Sequence, residues 1–286
     1  MTSLWLTCWL GCSGPTISDR VLSALPKAEL QEATAFVDYI KVFPLTRWEE
    51  GAFKGREGQH LKYRLFAPLN SEEGKDYPMI VFLHDSQGSG LKNTRQLQNG
   101  NAAPASAWTL PRVQNDHPTW VLAPQCGPGR IWTGEREVEV PEGTPEPAPC
   151  IEPVPELIDH LLVTSEVDRR RVYLVGSAMG ADGATELLAK YPQLFAATVL
   201  ITHDPANKFR ESVIGNRIEA LAQEPLWQFH GSNVSDDTDA RALVDRMRAA
   251  GGQNSVYWRY EGGMARVRTF REPALLDWVF SQTQKR

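Results

Sequence analysis

Apolar runs broken by turn residues set the layout of this chain. Short runs rich in β-branched and aromatic residues predict strands over Leu61–Ala67, Met79–His84, Trp120–Ala123, Val172–Gly176, Ala197–Ile201, Leu226–His230 and Val256–Tyr260. Between them, apolar positions recur at helical spacing over Val154–Val163, Asp182–Tyr191, Asp239–Ala250 and Pro273–Gln282. Alternating strands and helices predict an α/β fold, a doubly wound, mostly parallel sheet with helices on both faces. In such a sheet ligands bind at the carboxyl ends of the strands. Residues 16–43 read as an N-terminal extension of helical character, and 44–286 as a single domain. Thr94–Val113 and Gly134–Pro149 read as cap or rim loops.

One strand-to-helix junction carries a chemical signature. Arg171 to Gly183 read RVYLVGSAMGADG, and Gly176-Ser177-Ala178-Met179-Gly180 matches the nucleophile elbow G-x-S-x-G with alanine in place of the nucleophile. The elbow is a strained turn, so its flanking positions must be small. The following helix presents unpaired N–H groups to negative charge. Ala178 contributes no functional group to that frame. The same glycines also suit an ordinary βα turn.

Six segments, in order, make the chain resemble the polyhydroxybutyrate-depolymerase-like and feruloyl-esterase-like group of α/β-hydrolase esterases, related to dienelactone hydrolases. They are YPMIVFLHDSQGSG (Tyr77–Gly90), VLAPQCGPGRIW (Val121–Trp132), VDRRRVYLVGSAMGADG (Val167–Gly183), YPQLFAATVLI (Tyr191–Ile201), PLWQFHGS (Pro225–Ser232) and RMRAAGGQNSVYWRYEGG (Arg246–Gly263). The resemblance spans roughly Lys62 to Gln282. It implies an α/β-hydrolase fold and a triad in the order Ser, Asp or Glu, His.

The triad positions that the resemblance implies are substituted. The serine position is Ala178. The family's His-Gly-x-x-Asp run reads His230-Gly231-Ser232-Asn233-Val234, which puts Val234 at the acid. Asp236 or Asp237 could stand in through a loop shift, or could be solvated loop acids. The histidine stretch reads Tyr260-Glu261-Gly262-Gly263-Met264-Ala265-Arg266; counting from Tyr260 puts Ala265 at the base, and counting back from Phe270 puts Gly263 there. No histidine follows His230. The oxyanion region comprises Asp85, Ser86 and Met179, with Asp85 replacing the family's glycine. Asp85 and Asp182 either oppose an oxyanion there or point to solvent, Asp182 capping its helix. Ser177, Asp182, His84 and Trp132 complete the candidate cleft. Ser177 stands one residue early, so its side chain should leave the strand on the other side from the elbow residue.

Composition narrows the reading further. A length of 286 residues with 42% hydrophobic content supports a full core. A net charge of −5 and the lack of a basic, aromatic-interleaved patch argue against nucleic acid. No metal-ligand or phosphate-loop motif is present, and no cofactor is expected. Leu4–Leu10 followed by Gly11-Cys12-Ser13 looks like a lipoprotein signal over residues 1–15. Cys12 would then be a lipid anchor, the chain's sole link to a membrane, and the protein would be exported or envelope-bound; otherwise it is cytoplasmic. If exported, Cys126 and Cys150 could close the intervening loop as a disulfide; otherwise they are two free buried thiols. Tryptophans such as Trp108, Trp132 and Trp258 suit either carbohydrate stacking or the core.

Three functions stay open. The first is a catalytically degenerate esterase relative that keeps a cleft for a small ester, carbohydrate, peptide or partner. The second is an active serine carboxylesterase rearranged onto Ser86 or Ser177. The third is a structural or interaction module at the cell envelope.

Overall fold

The computed structural model describes residues 17–22, 27–28, 31, 45–98, 105–133, 149–201, 214–215, 217–232, 238–262 and 268–284. Within them nine strands form one sheet: β1 (Arg20–Leu22), β2 (Glu49–Lys54), β3 (His60–Phe66), β4 (Tyr77–Leu83), β5 (Trp120–Gln125), β6 (Val167–Ser177), β7 (Ala197–Ile201), β8 (Leu226–Ser232) and β9 (Ser255–Glu261). Their spatial order is β1-β9-β8-β7-β6-β4-β5-β3-β2. All neighbours pair in parallel except β2 with β3 and β3 with β5. The longer helices are α1 (Val154–Thr164), α2 (Met179–Lys190), α3 (Thr238–Ala249) and α4 (Pro273–Ser281). Every strand and helix expected from the apolar pattern is present, with ends shifted by a few residues.

Strand alternation divides the core into two halves. Val172 and Leu174 face one side with α1, α2 and α3, through Leu157, Ile158, Leu187, Leu188, Val244 and Met247. Tyr173 and Val175 face the other, among Trp108, Trp227, Phe229, Leu275 and Trp278. No helix among the described residues is long and apolar enough to cross a membrane.

Two expectations need correction, and one strand was not foreseen. The 16–43 extension, read as helical, also contributes a strand, β1. Arg20–Leu22 pairs with Trp258–Tyr260 because neighbouring groups hold it there: Ser18 O accepts the Trp258 indole N–H at 2.8 Å, and the Asp19 carboxylate accepts two bonds from Arg248, each 2.6 Å. Edge strand β2 is polar and alternates exposed with half-buried positions, so its apolar signal is faint. The described parts of Thr94–Val113 are core rather than rim. Ala105, Ala107, Trp108, Leu110 and Val113 are buried beneath the sheet.

The chain leaves β4 toward β5 on one side of the sheet and leaves β6 toward β7 on the other. The carboxyl ends of β4 and β6 therefore flank the topological switch point, where open α/β sheets hold their ligands. Asp85 follows β4, and Ala178 follows β6.

Candidate functional site

Ala178 adopts φ 48° and ψ −116°, left-handed space that few non-glycine residues enter. Such a conformation costs on the order of 1–3 kcal/mol and persists only when its surroundings fix it. Here the Ala178 N–H donates to Ile201 O at 2.9 Å, while Ala178 O accepts from Ala181 N at 2.7 Å and Asp182 N at 3.3 Å. The second pair of bonds starts α2 at Met179, three residues before the sequence pattern suggested. The two glycines allow the close approach that the turn requires. A Cβ on Gly176 would overlap the backbone of Gly180, and one on Gly180 would overlap the carbonyl of Leu83. The first turn of α2 thus packs directly on the end of β4. The chain holds the sharp turn of a nucleophile elbow with a methyl group at its tip.

The turn after β4 is used internally. Asp85 is buried, and its Oδ1 accepts from Gln87 N at 3.0 Å and Gly88 N at 3.2 Å, capping a short helix at Ser86–Gly88. Its carboxylate is committed to that cap rather than held out toward a ligand. His84, counted among the cleft residues, is a core residue. Its Nε2 accepts the Cys126 N–H at 2.9 Å, so the ring proton sits on Nδ1 and is donated to Asp85 O at 2.6 Å. Burial drives His84 down to about 4, so the ring is neutral at pH 7 and both its nitrogens are engaged.

Trp132, also placed in the cleft by sequence, is fully buried. Its indole donates to His84 O at 2.9 Å, and its ring lies 4.9 Å from the imidazole. Trp108 and Trp258 are buried as well, so none of these three rings offers a face for stacking a sugar.

The remaining site residues divide by position. Ser177 is buried, and alternation along β6 turns its side chain toward the half of the core opposite α2. Its Oγ has no hydrogen-bond partner among the described residues. Met179 is half-buried against the core, Asp182 is half-exposed in the first turn of α2, and Ser86 is exposed. Val234, Ala265, Gly263, Asp236, Asp237 and most of 134–149 lie outside the described residues. So does the 1–15 segment with Cys12.

Among the described residues, no group of three His, Cys, Asp or Glu side chains could hold a metal ion. An open groove of about 650 Å³ is lined by Ile218, Glu219, Gln223, Arg246, Ala249 and Ala250. These residues lead into the amino ends of β8 and β9, so the groove belongs to the sheet edge opposite Ala178.

The architecture has clear relatives among solved structures. A thermostable esterase superposes with a TM-score of 0.69 at 27% identity, over 84% of this chain and 64% of that one. The chain has the α/β-hydrolase fold and resembles its esterases. A ferulic acid esterase matches at TM-score 0.54 and 15% identity, over 82% of this chain and 97% of that one. MPT51 (FbpC1) of Mycobacterium tuberculosis matches at 0.57 and 17%, over 82% and 98%. This α/β-hydrolase-fold chain spans 64% of the length of the thermostable esterase. No protein-family model and no curated protein matches it.

Sequence reasoning found the elbow but missed what holds the loop beside it. The His84–Cys126 bond joins residues 42 positions apart, and no local pattern announces such a pairing. The signal that was legible is the pair of cysteines bracketing one insertion.

Proposed function

We propose that this protein is a non-hydrolytic relative of the α/β-hydrolase esterases, with a crevice at Ala178 that binds a ligand or partner rather than cleaving it. One observation carries the reading: the strained elbow at Ala178 is kept while its tip bears only a methyl group. Strain of this kind is retained where a turn still serves a site. Ser86 and Met179 offer backbone N–H groups on either side of the switch point, suited to a carbonyl or carboxylate oxygen. An ester, a peptide or an acidic sugar meets that requirement.

Purified protein incubated with short p-nitrophenyl esters tests the reading. Turnover equal to a heat-killed control, through successive purifications, is the expected result. A rate that co-purifies with the protein overturns it. The exposed Ser86 hydroxyl beside the elbow motivates a second reading, an active esterase with a rearranged nucleophile. A serine-directed fluorophosphonate separates the two: covalent labelling at Ser86 supports the second, and an unlabelled protein supports the first.

A further inference from the structure

Cys126 and Cys150 are both buried and both free. Each is fixed by backbone bonds to the same structural unit. Cys126 N–H donates to His84 Nε2 at 2.9 Å, and Cys126 O accepts from Gly90 N at 3.0 Å. Cys150 N–H donates to Ile131 O and Ile151 N–H to Trp132 O, each at 3.2 Å. Trp132 in turn donates to His84 O. The His84–Trp132 pair therefore holds both cysteines, and their thiols hydrogen-bond to each other. The unit lies against α2: a Cβ on Gly183 would stand 2.6 Å from Trp132 Cβ and 3.3 Å from Ile151 Cδ1.

We propose that Cys126 and Cys150 form a redox-active dithiol that closes to a disulfide, clamping the two ends of the 127–149 segment beside the elbow helix. Two thiols held in contact by independent backbone anchors need little rearrangement to meet disulfide geometry. The sulfurs are also asymmetric. Burial pushes the Cys126 thiol up, and its hydrogen bond to Cys150 adds to that. The same hydrogen bond lowers Cys150, aided by Arg130 and the Gly127 N–H.

With glutathione disulfide as oxidant, the Cys150 sulfur attacks one glutathione sulfur and expels the other as a thiolate. Cys126 then loses its proton and attacks the Cys150 sulfur, expelling the second glutathione. The protein gives up two electrons and two protons, and glutathione disulfide becomes two glutathione thiols.

The test uses the full chain. Folded protein is equilibrated with glutathione disulfide or with dithiothreitol, then alkylated under denaturing conditions and mapped by peptide mass spectrometry. Mapping separates this pair from Cys8 and Cys12. The expected result is a Cys126–Cys150 linked peptide in the oxidised sample and a Tm about 5–10 °C above the reduced sample. The double variant Cys126→Ala/Cys150→Ala is expected to lose that redox-dependent shift. Full alkylation of both thiols after oxidation, or an identical wild-type Tm in both states, overturns the proposal. If the double variant does not fold, the wild-type comparison decides alone.

Discussion

His84 Nε2 accepts the backbone N–H of Cys126 at 2.9 Å, joining the turn after β4 to the end of β5. The bond fixes the imidazole tautomer and hands its one proton to Asp85 O. A histidine and an aspartate beside a hydrolase-like elbow invite a catalytic reading. Here the histidine supports a loop and the aspartate caps a short helix. The relationship also gives the elbow's neighbour a pH-sensitive support.

Stability is expected to respond to pH through two opposed groups. Burial lowers His84 from 6.5 to about 4 in the folded protein. Between those values the unfolded chain binds the proton first, so the His84 contribution is lost as pH falls from 6.5 to 4, by roughly 3 kcal/mol in full. Glu224 works the other way: burial raises it to about 7, so stability is lost as pH rises from its unfolded value near 4.5 to 7. Glu224→Gln should have a higher urea midpoint than wild type at pH 7.5, with the gap closing by pH 4.5. It should also show a steeper acid loss than wild type between pH 6.5 and 4.5, where the two slopes otherwise cancel.

Substitutions at Ala178 separate strain from chemistry. Ala178→Gly relieves the left-handed backbone at a smaller entropic cost. It is expected to stabilise the protein by about 0.5–1 kcal/mol, read as a Tm rise of about 1–4 °C. Ala178→Ser restores a hydroxyl at the elbow but no imidazole beyond residue 230 to activate it. Hydrolysis of p-nitrophenyl acetate by that variant should remain indistinguishable from wild type.

Asp19 ties the N-terminal strand to the body of the protein. Burial would raise its carboxyl. Two hydrogen bonds from Arg248, one from Tyr257 N and the nearby Arg241 outweigh burial and hold it below the usual carboxylate range. A bidentate, partly buried pair is stronger than an ordinary surface bridge. Asp19→Ala is expected to cost about 1–2 kcal/mol and to speed proteolysis near residues 17–22, as followed by mass spectrometry.

Gly183 lets α2 close on Trp132. A methyl at this position would stand 2.6 Å from Trp132 Cβ, and a well-packed core resists such overpacking. Gly183→Ala should lower stability by about 1–3 kcal/mol in chemical denaturation. Its far-UV circular dichroism should keep the wild-type shape, because the helix itself gains from alanine.

Much of the frame was legible from short-range signals. Buried parallel strands such as β6 and β7 are apolar on both faces and flanked by turns, so they announce themselves. The elbow was readable because its two glycines and small residues answer a local steric need. Strands β1 and β2 were not, since each depends on a neighbour for its pairing, and the charged Arg20, Glu49 and Glu50 blur the apolar pattern.

By itself the sequence determined the order of strands and helices, the alanine at the elbow and the absence of histidine after residue 230. Tertiary structure alone decided where the polar groups point. It turned Asp85 into a helix cap, made His84 and Trp132 supports for the Cys126 loop, and set Cys126 against Cys150. These contacts join residues far apart in the chain. Burial then requires each polar atom to find a partner wherever the fold supplies one, and no spacing along the sequence encodes that choice.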